Sequence, residues 1–243
     1  MKTFKIIINS LLILIISGFQ VMKGQADGGT VITERTDLEL LNRIRLEHNM
    51  KSREEVSYEN IDGDPFLYKN LVPGSLILKT GENIPLNLRY DMFKGEIQFG
   101  QKNEIYALIN PENVSSVLID TLGFIYTRYL KSTGDFGLTE NSWFILNKDG
   151  KCKLLTCKNL RLQAAVPPKP YKEEGIPAKF VQTIDTYYLK VANKNAVRVN
   201  SKKDLFEYLS DKKDLLNEFI KSNKLGTKKM EDLARIVSYY NSL

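Results

Sequence analysis

The sequence predicts an α+β protein, in which an antiparallel β-meander, sandwich-like or barrel-like, is followed by a β-hairpin and a C-terminal helical bundle. Across the middle of the chain, turn signals such as "PG" at 73–74 and "NKDG" at 147–150 recur about every 8–12 residues, with short runs rich in Ile, Leu, Phe and Tyr between them. This spacing is typical of antiparallel sandwiches and barrels. Nearer the C-terminus, apolar residues recur at helical spacing instead.

Residues 1–26 are predicted to be a secretory signal peptide. Lys2 and Lys5 precede the apolar run 6–16, and Gly24 and Ala26 stand at the −3 and −1 positions of a cleavage site. The alternative, an uncleaved membrane anchor, is disfavoured because the run is much shorter than the roughly 20 residues that span a bilayer. We therefore expect an exported protein of the periplasm or the cell surface, with no transmembrane span after cleavage near Ala26.

Residues 27–60 are predicted to be a helical N-terminal segment. A helix over about 37–51 begins with Thr36 and Glu39, which have the spacing of a capping box. Leu38, Leu41 and Ile44 give this helix one apolar side.

A proline-rich segment, 166–179, is predicted to be a linker between a β domain at 61–165 and a C-terminal region at 180–243. It holds half of the eight prolines of the chain, namely Pro167, Pro168, Pro170 and Pro177. Clustered prolines form semi-rigid spacers. The alternative is a ligand for a domain that binds PxxP segments.

The C-terminal region is predicted to contain a hairpin, "TYYLKV" and "AVRVN" around "ANKN", and three short helices. Each helix has an apolar stripe: Leu205, Phe206 and Leu209; Leu215, Leu216, Phe219 and Ile220; and Met230, Leu233, Val237 and Tyr240. The predicted N-caps are Ser201, Asp211 and Thr227, and Gly226 is predicted to end the second helix. Because short helices need tertiary burial, we expect the stripes to face the core rather than to form a groove for a partner helix.

Two segments resemble a known group of proteins. Residues 63–99 contain a Gly-x-Pro-aromatic start, a strand, a turn and the strand "LRYD", and the chain ends in the helical tail "KKDLLNEFIKSNKLGTKKMEDLARIVSYYNSL". Both are similar to uncharacterised exported proteins of Bacteroidota, whereas the middle of the chain resembles them less. The shared residues are structural, so the resemblance implies export and the fold and supplies no catalytic residue.

The charge composition argues against nucleic-acid binding. The chain has 35 basic and 29 acidic residues, and three of the lysines lie in the predicted signal peptide. Such a small remaining excess gives no concentrated basic face. The lysine pairs at 202–203, 212–213 and 228–229 alternate with acidic residues, which predicts solvated helix faces rather than a patch for a membrane surface or an anionic partner.

No catalytic, cofactor-binding or metal-binding residue is predicted. His48, the only histidine, lies among charged neighbours and is expected on a helix surface. Asp62 and Asp64 have the alternate spacing of a calcium loop, but the further oxygen ligands and the bidentate Glu do not follow. We expect an Asx-turn there.

Two loop features bear on enzymatic function. "GDFG" at 134–137 matches the kinase magnesium motif by letters only, since no Gly-rich phosphate loop or H-R-D element accompanies it. Asp135 and Glu140 flank the loop before Trp143 and are the carboxylates that an acid/base pair would use.

The only two cysteines, Cys152 and Cys157, are predicted to be core residues of one strand. Five residues of extended chain place their Cα atoms about 15 Å or more apart, whereas a disulfide needs less than about 7 Å. Two further ligands for a zinc site are lacking, and the redox spacing C-x-x-C is absent. A bulge that joins the two thiols, or a disulfide between chains, is the alternative.

These observations favour an exported, non-enzymatic binding or structural protein of the cell envelope. Its expected partner is an envelope protein, a glycan or a small ligand, and no cofactor is expected. The alternative is an extracytoplasmic hydrolase that uses loop carboxylates. Two carboxylates about 5–9 Å apart in a deep pocket would favour the hydrolase. A shallow exposed patch of tyrosines would favour binding.

If the first 26 residues are a signal peptide, mass spectrometry of the exported protein should find its N-terminus within a few residues of Asp27. An intact Met1 in the membrane fraction would contradict the predicted export.

Overall fold

The computed structural model describes Tyr58 and residues 61–101, 104–108, 112–131, 137–168 and 175–243. The predicted signal peptide, the predicted helix over 37–51 and His48 lie outside these residues, as do Asp135 and residues 169–174 of the predicted linker.

The described chain is mostly β, with helices near the C-terminus, which confirms the predicted α+β class. The strands are β1 (Ile61–Asp62), β2 (Val72–Leu78), β3 (Asn83–Asp91), β4 (Glu96–Gln101), β5 (Glu104–Ala107), β6 (Val114–Ile119), β7 (Leu122–Leu130), β8 (Thr139–Lys148), β9 (Cys152–Cys157), β10 (Leu160–Gln163), β11 (Ala178–Gln182), β12 (Thr186–Val191) and β13 (Val197–Arg198). The helices are α1 (Lys202–Tyr208), α2 (Lys213–Ser222) and α3 (Met230–Ser242), and a 3-10 turn, Ser210–Lys212, joins the first two.

Ten strands form one antiparallel sheet in the order β13-β12-β9-β8-β7-β6-β2-β3-β4-β5. The sheet is curled, and Ala196, just before β13, returns to the middle of the sheet at Tyr129 of β7. Leu130 donates its backbone N–H to the Ala196 carbonyl, and Ala196 donates its own to Arg128, both at 2.9 Å. The far edge of the sheet is thus held against β7 by backbone hydrogen bonds.

The curl gives the sheet a large apolar core. Large side chains from β2 to β8 fill it, among them the fully buried Leu76, Leu88 and Phe124 together with Trp143. This packing follows from the alternation of apolar and polar residues along each strand, which places one set of side chains on the same face.

A second, smaller sheet has the order β1-β11-β10. Its strands β10, before the predicted linker, and β11, at the end of that linker, pair with each other, and β12, after the linker, pairs with β9 in the large sheet. The division of the chain into domains stays a prediction, but strands from both sides of the predicted linker share one sheet.

The observed helix ends match the sequence prediction at one position and differ from it at three. Ser201 caps α1 in a capping box with Asp204, as predicted. The predictions for Asp211, Thr227 and Gly226 were wrong, because the N-caps of α2 and α3 are Lys212 and Lys229 and α2 ends at Ser222.

Tertiary contacts explain two of these differences. The Asp211 carboxylate accepts a hydrogen bond from the Tyr240 hydroxyl at 3.2 Å, so it does not cap its own helix. The Gly226 N–H donates to the Asp232 carboxylate at 2.9 Å, which joins the loop to α3. The residue with a left-handed backbone after α2 is Lys224, with φ of 53°.

Strand β9 is buried on both faces. Cys152 and Leu154 pack with the buried side chains of the helices, including Leu233 and Val237. On the opposite face, Leu155 packs with aromatic side chains of β8 and β12, and Cys157 lies at the edge of that cluster. Both thiols are free, and the prediction that one strand carries both cysteines is confirmed, although Cys157 is only partly buried.

Asn241 attaches the end of α3 to β9. The Cys152 N–H donates to Asn241 Oδ1 at 2.8 Å, and Asn241 Nδ2 donates to the Cys152 carbonyl at 3.0 Å and to the Asp149 carbonyl at 3.3 Å. The side-chain amide therefore occupies the place of a neighbouring strand. Gly150 lets it approach, since a Cβ there would overlap Asn241 Nδ2.

Among the described residues, no helix combines the length and the apolar character needed to cross a membrane.

We expect Asn241→Ala to lower the free energy of unfolding by about 2 kcal/mol, because it leaves the backbone groups of Cys152 without their partners. Chemical denaturation measures this change. The matched control is Asn87→Ala on the exposed side of β3, with an expected change within about 0.5 kcal/mol. Equal effects of the two substitutions would contradict the proposed role of Asn241.

Cys152 should not react with a thiol reagent in the folded protein, even at pH 9, because burial raises the pKa of its thiol to about 12 and also shields it. Both thiols should titrate after denaturation, and Cys152→Ala should cost about 1 kcal/mol of stability. Oxidised protein in which no thiol titrates after denaturation would show a disulfide and contradict the strand geometry.

Candidate binding groove

An open groove lies where the end of β8 meets α2 and α3. Its volume is about 460 Å³, and its lining is mainly apolar. The lining residues are Lys148, Phe219, Ala234, Arg235, Ser238 and Tyr239. We call this feature the α2–α3 groove.

The helical period of α3 explains why these side chains face the groove. Leu233, Ile236 and Val237 are fully buried against the sheet. Ala234 and Ser238, and likewise Arg235 and Tyr239, are four residues apart and therefore lie one above the other beside the buried face. The two small residues keep the groove open between the larger side chains.

Two aromatic rings form one wall of the groove. The rings of Phe219 on α2 and Tyr239 on α3 are stacked, with centroids 4.1 Å apart and an angle of 11° between their planes. Both side chains are half-buried, so part of each ring faces solvent. Aromatic surfaces of this kind contribute large contact area at little cost in conformational entropy.

A network at the end of α2 positions Arg235. Its Nη2 donates to Asn223 Oδ1 at 2.9 Å, and Asn223 Nδ2 donates to the Phe219 carbonyl at 3.0 Å. The guanidinium is thus fixed relative to the aromatic wall by the C-cap residue of α2. Four of its five N–H donors remain for solvent or a ligand.

The second cation, Lys148, reaches the groove from the sheet. It is the last residue of β8 and follows a register shift between Leu146 and Lys148. Lys148 and Arg235 are both exposed, and within the described ranges no ion pair involves either of them. The groove therefore presents two cations beside an aromatic surface.

The acidic residues at 62–64 form the expected turn. Asp64 Oδ1 accepts a hydrogen bond from the Phe66 N–H at 2.9 Å, which is an Asx-turn. In the part of the chain that the structure describes, no group of three or more His, Cys, Asp or Glu side chains is placed to hold a metal ion.

Glu140 is held by two neighbours on the surface. It pairs with Lys131 at 2.5 Å and accepts a hydrogen bond from the Tyr129 hydroxyl at 3.2 Å. The hydrogen bond from Lys131 is the main reason why the pKa of Glu140 lies below its usual value. Its proposed companion Asp135, within "GDFG", is not among the described residues.

A buried polar cluster on β3, which the sequence did not predict, attaches Tyr58 to the large sheet. The fully buried Asp91 accepts hydrogen bonds from the Tyr58 hydroxyl at 2.7 Å and from the backbone N–H groups of Phe93 and Lys94. Burial, and then the hydrogen bond to Asp91, raise the pKa of Tyr58. The Arg89 guanidinium lies 3.7 Å from the centre of the Phe66 ring.

The sequence analysis also did not predict the groove, although one part of it could have been recognised in the sequence. The i,i+4 pair of Arg235 and Tyr239 beside the buried stripe of α3 is visible in the sequence. Nothing in the sequence places Lys148 or Phe219 next to that pair.

Comparisons of the chain with known protein families, with curated proteins and with solved structures found no match.

Proposed function

We propose that this chain is an exported, non-enzymatic binding protein of the cell envelope, and that the α2–α3 groove binds a partner that carries an anionic group next to an apolar or aromatic group. The observation that carries the proposal is the stacked Phe219–Tyr239 pair with Lys148 and Arg235 beside it in one open groove.

The chemistry of the groove supports this class of partner. A guanidinium forms two parallel hydrogen bonds with a carboxylate or a phosphate, and Asn223 already fixes the orientation of Arg235. The exposed parts of Phe219 and Tyr239 offer apolar contact beside that site. Tyr and Arg side chains dominate the energetics of many binding surfaces.

The predicted signal peptide and the resemblance to exported proteins of Bacteroidota support export and a location in the cell envelope. We further propose that the hairpin of β12 and β13 and the three helices act as one bundle-like unit, whose role is to present the groove.

The hydrolase alternative receives less support. The Lys131 ammonium beside Glu140 favours the ionised carboxylate, whereas a general acid needs a raised pKa. The groove itself is shallow and aromatic, which is the arrangement that favours binding.

Charge reversal at the groove, Lys148→Glu with Arg235→Glu, should abolish retention of the partner, because the two introduced carboxylates repel its anionic group. Affinity capture from an envelope extract, followed by mass spectrometry, compares this variant with the unaltered mature protein. The matched control is Lys79→Glu with Arg161→Glu, which changes the net charge equally at two exposed positions outside the groove lining.

The unaltered protein and the control should retain the same partner in similar amounts. The proposal is contradicted if the groove variant retains it equally well, or if the unaltered protein retains nothing.

A further inference from the structure

The charged and the aromatic parts of the α2–α3 groove are separated by one helical turn. Arg235 and Tyr239 are four residues apart on α3, so they lie on the same side of the helix, about 6 Å apart along its axis. On α2, Phe219 stacks on Tyr239, and Asn223, four residues further on, holds the Arg235 guanidinium. Both helices therefore place the guanidinium about one turn from the aromatic rings.

Alternate residues of an extended peptide match this separation. Each residue of an extended chain advances about 3.3 Å, and side chains two residues apart point to the same side, so they are about 6.6 Å apart. Adjacent side chains point to opposite sides. An acidic residue and an aromatic residue with one residue between them can therefore reach Arg235 and the aromatic rings at the same time.

The floor of the groove suits a peptide backbone. Ala234 and Ser238 are small and leave room for main-chain atoms between the larger side chains. Ser238 is exposed, so its hydroxyl can donate to a peptide carbonyl or accept from a peptide N–H. The volume of about 460 Å³ lies near the lower end of the range of about 300–1,000 Å³ for ligand sites, which suits a few residues rather than a whole helix.

Lys148 adds positive charge near the C-terminal end of α3. The carbonyl of the next residue, Asp149, accepts a hydrogen bond from Asn241 Nδ2 at 3.3 Å, which places Lys148 beside the last turn of the helix. Arg235 lies more than one turn earlier. The two cations are thus on either side of Tyr239 along the helix axis, and they favour a segment whose overall charge is negative.

The lining of the groove favours a peptide over an acidic sugar. Phe219, Ala234 and the Tyr239 ring offer apolar contact to a ligand. An aromatic side chain next to a carboxylate buries its apolar surface there and places its charge at the cations. A sugar instead carries several hydroxyl groups, each of which costs free energy when it is buried without a hydrogen-bond partner.

We infer that the α2–α3 groove binds an extended acidic segment of a partner protein, in which an acidic and an aromatic residue are separated by one residue. The acidic side chain pairs with Arg235, and the aromatic side chain packs on Phe219 and Tyr239. This inference rests on the proposed function, because it names the class of partner that the same groove binds.

NMR titration of the isotope-labelled mature protein tests the inference with a synthetic probe, acetyl-Gly-Glu-Ser-Phe-Gly-amide. The probe should shift the amide signals of the groove residues in a saturable way, namely those of Lys148, Phe219, Ala234, Arg235, Ser238 and Tyr239. The isomer acetyl-Gly-Ser-Glu-Phe-Gly-amide has the same composition but adjacent Glu and Phe, and it should bind several-fold more weakly. Peptides in which Gln replaces Glu, or Ala replaces Phe, should also bind several-fold more weakly.

A double-mutant cycle tests the pairing of the acidic side chain with Arg235. In Arg235→Gln, the Glu and Gln peptides should bind equally, because the cation that distinguishes them is gone. The matched control is Arg161→Gln, at an exposed position outside the groove lining, which should keep the several-fold preference for the Glu peptide. A preference that persists in Arg235→Gln would overturn the assignment.

Three further outcomes would overturn the inference. Equal binding of the two isomers would contradict the spacing. Tighter binding of glucuronic acid than of the probe would replace the peptide by an acidic sugar, while the proposed function would stand. Absence of groove shifts with every probe, together with loss of partner retention in the charge-reversed groove variant, would contradict the peptide and leave the proposed function intact.

Discussion

The side-chain amide of Asn241 pairs with both backbone polar groups of Cys152, and this contact fixes the C-terminal helix on strand β9 of the large sheet. Cys152 begins a strand that is buried on both faces, by helices on one side and by aromatic side chains of β8 and β12 on the other. A backbone enclosed in this way needs partners for its N–H and C=O groups, since an unsatisfied buried group costs about 1–3 kcal/mol. Asn241 supplies these partners at Cys152, beyond the point where the pairing of β9 with β8 ends. Gly150 leaves the space that the amide requires.

The α2–α3 groove is a consequence of that attachment. Once α3 is held against β8 and β9, its Arg235 and Tyr239 face the end of β8, where Lys148 emerges after the register shift. The short loop after α2 brings Phe219 against Tyr239 and Asn223 against Arg235. The candidate binding surface is therefore built from rigid elements, which favours preorganised recognition.

Local sequence signals predicted the features that local contacts determine. The "NKDG" turn and the residues after it predicted β9 and its two free thiols, and Ser201 with Asp204 predicted the first helix cap. The predicted helix ends at Asp211 and Gly226 were wrong because residues of α3 bind these groups. The Tyr240 hydroxyl donates a hydrogen bond to the Asp211 carboxylate, and the Gly226 N–H donates to the Asp232 carboxylate. The groove could not be predicted for the same reason, because Lys148 and Arg235 meet only through the packing of α3 on the sheet.

If Asn241 holds α3 on β9, these two elements form one cooperative unit. Native-state amide hydrogen exchange tests it most directly, because it measures the opening free energy of each element separately. We expect the amides of Ile236 and Val237 in α3 to exchange with the same opening free energy as those of Leu154 and Leu155 in β9. Exchange of the α3 amides through a much less costly local opening, with β9 still protected, would contradict it.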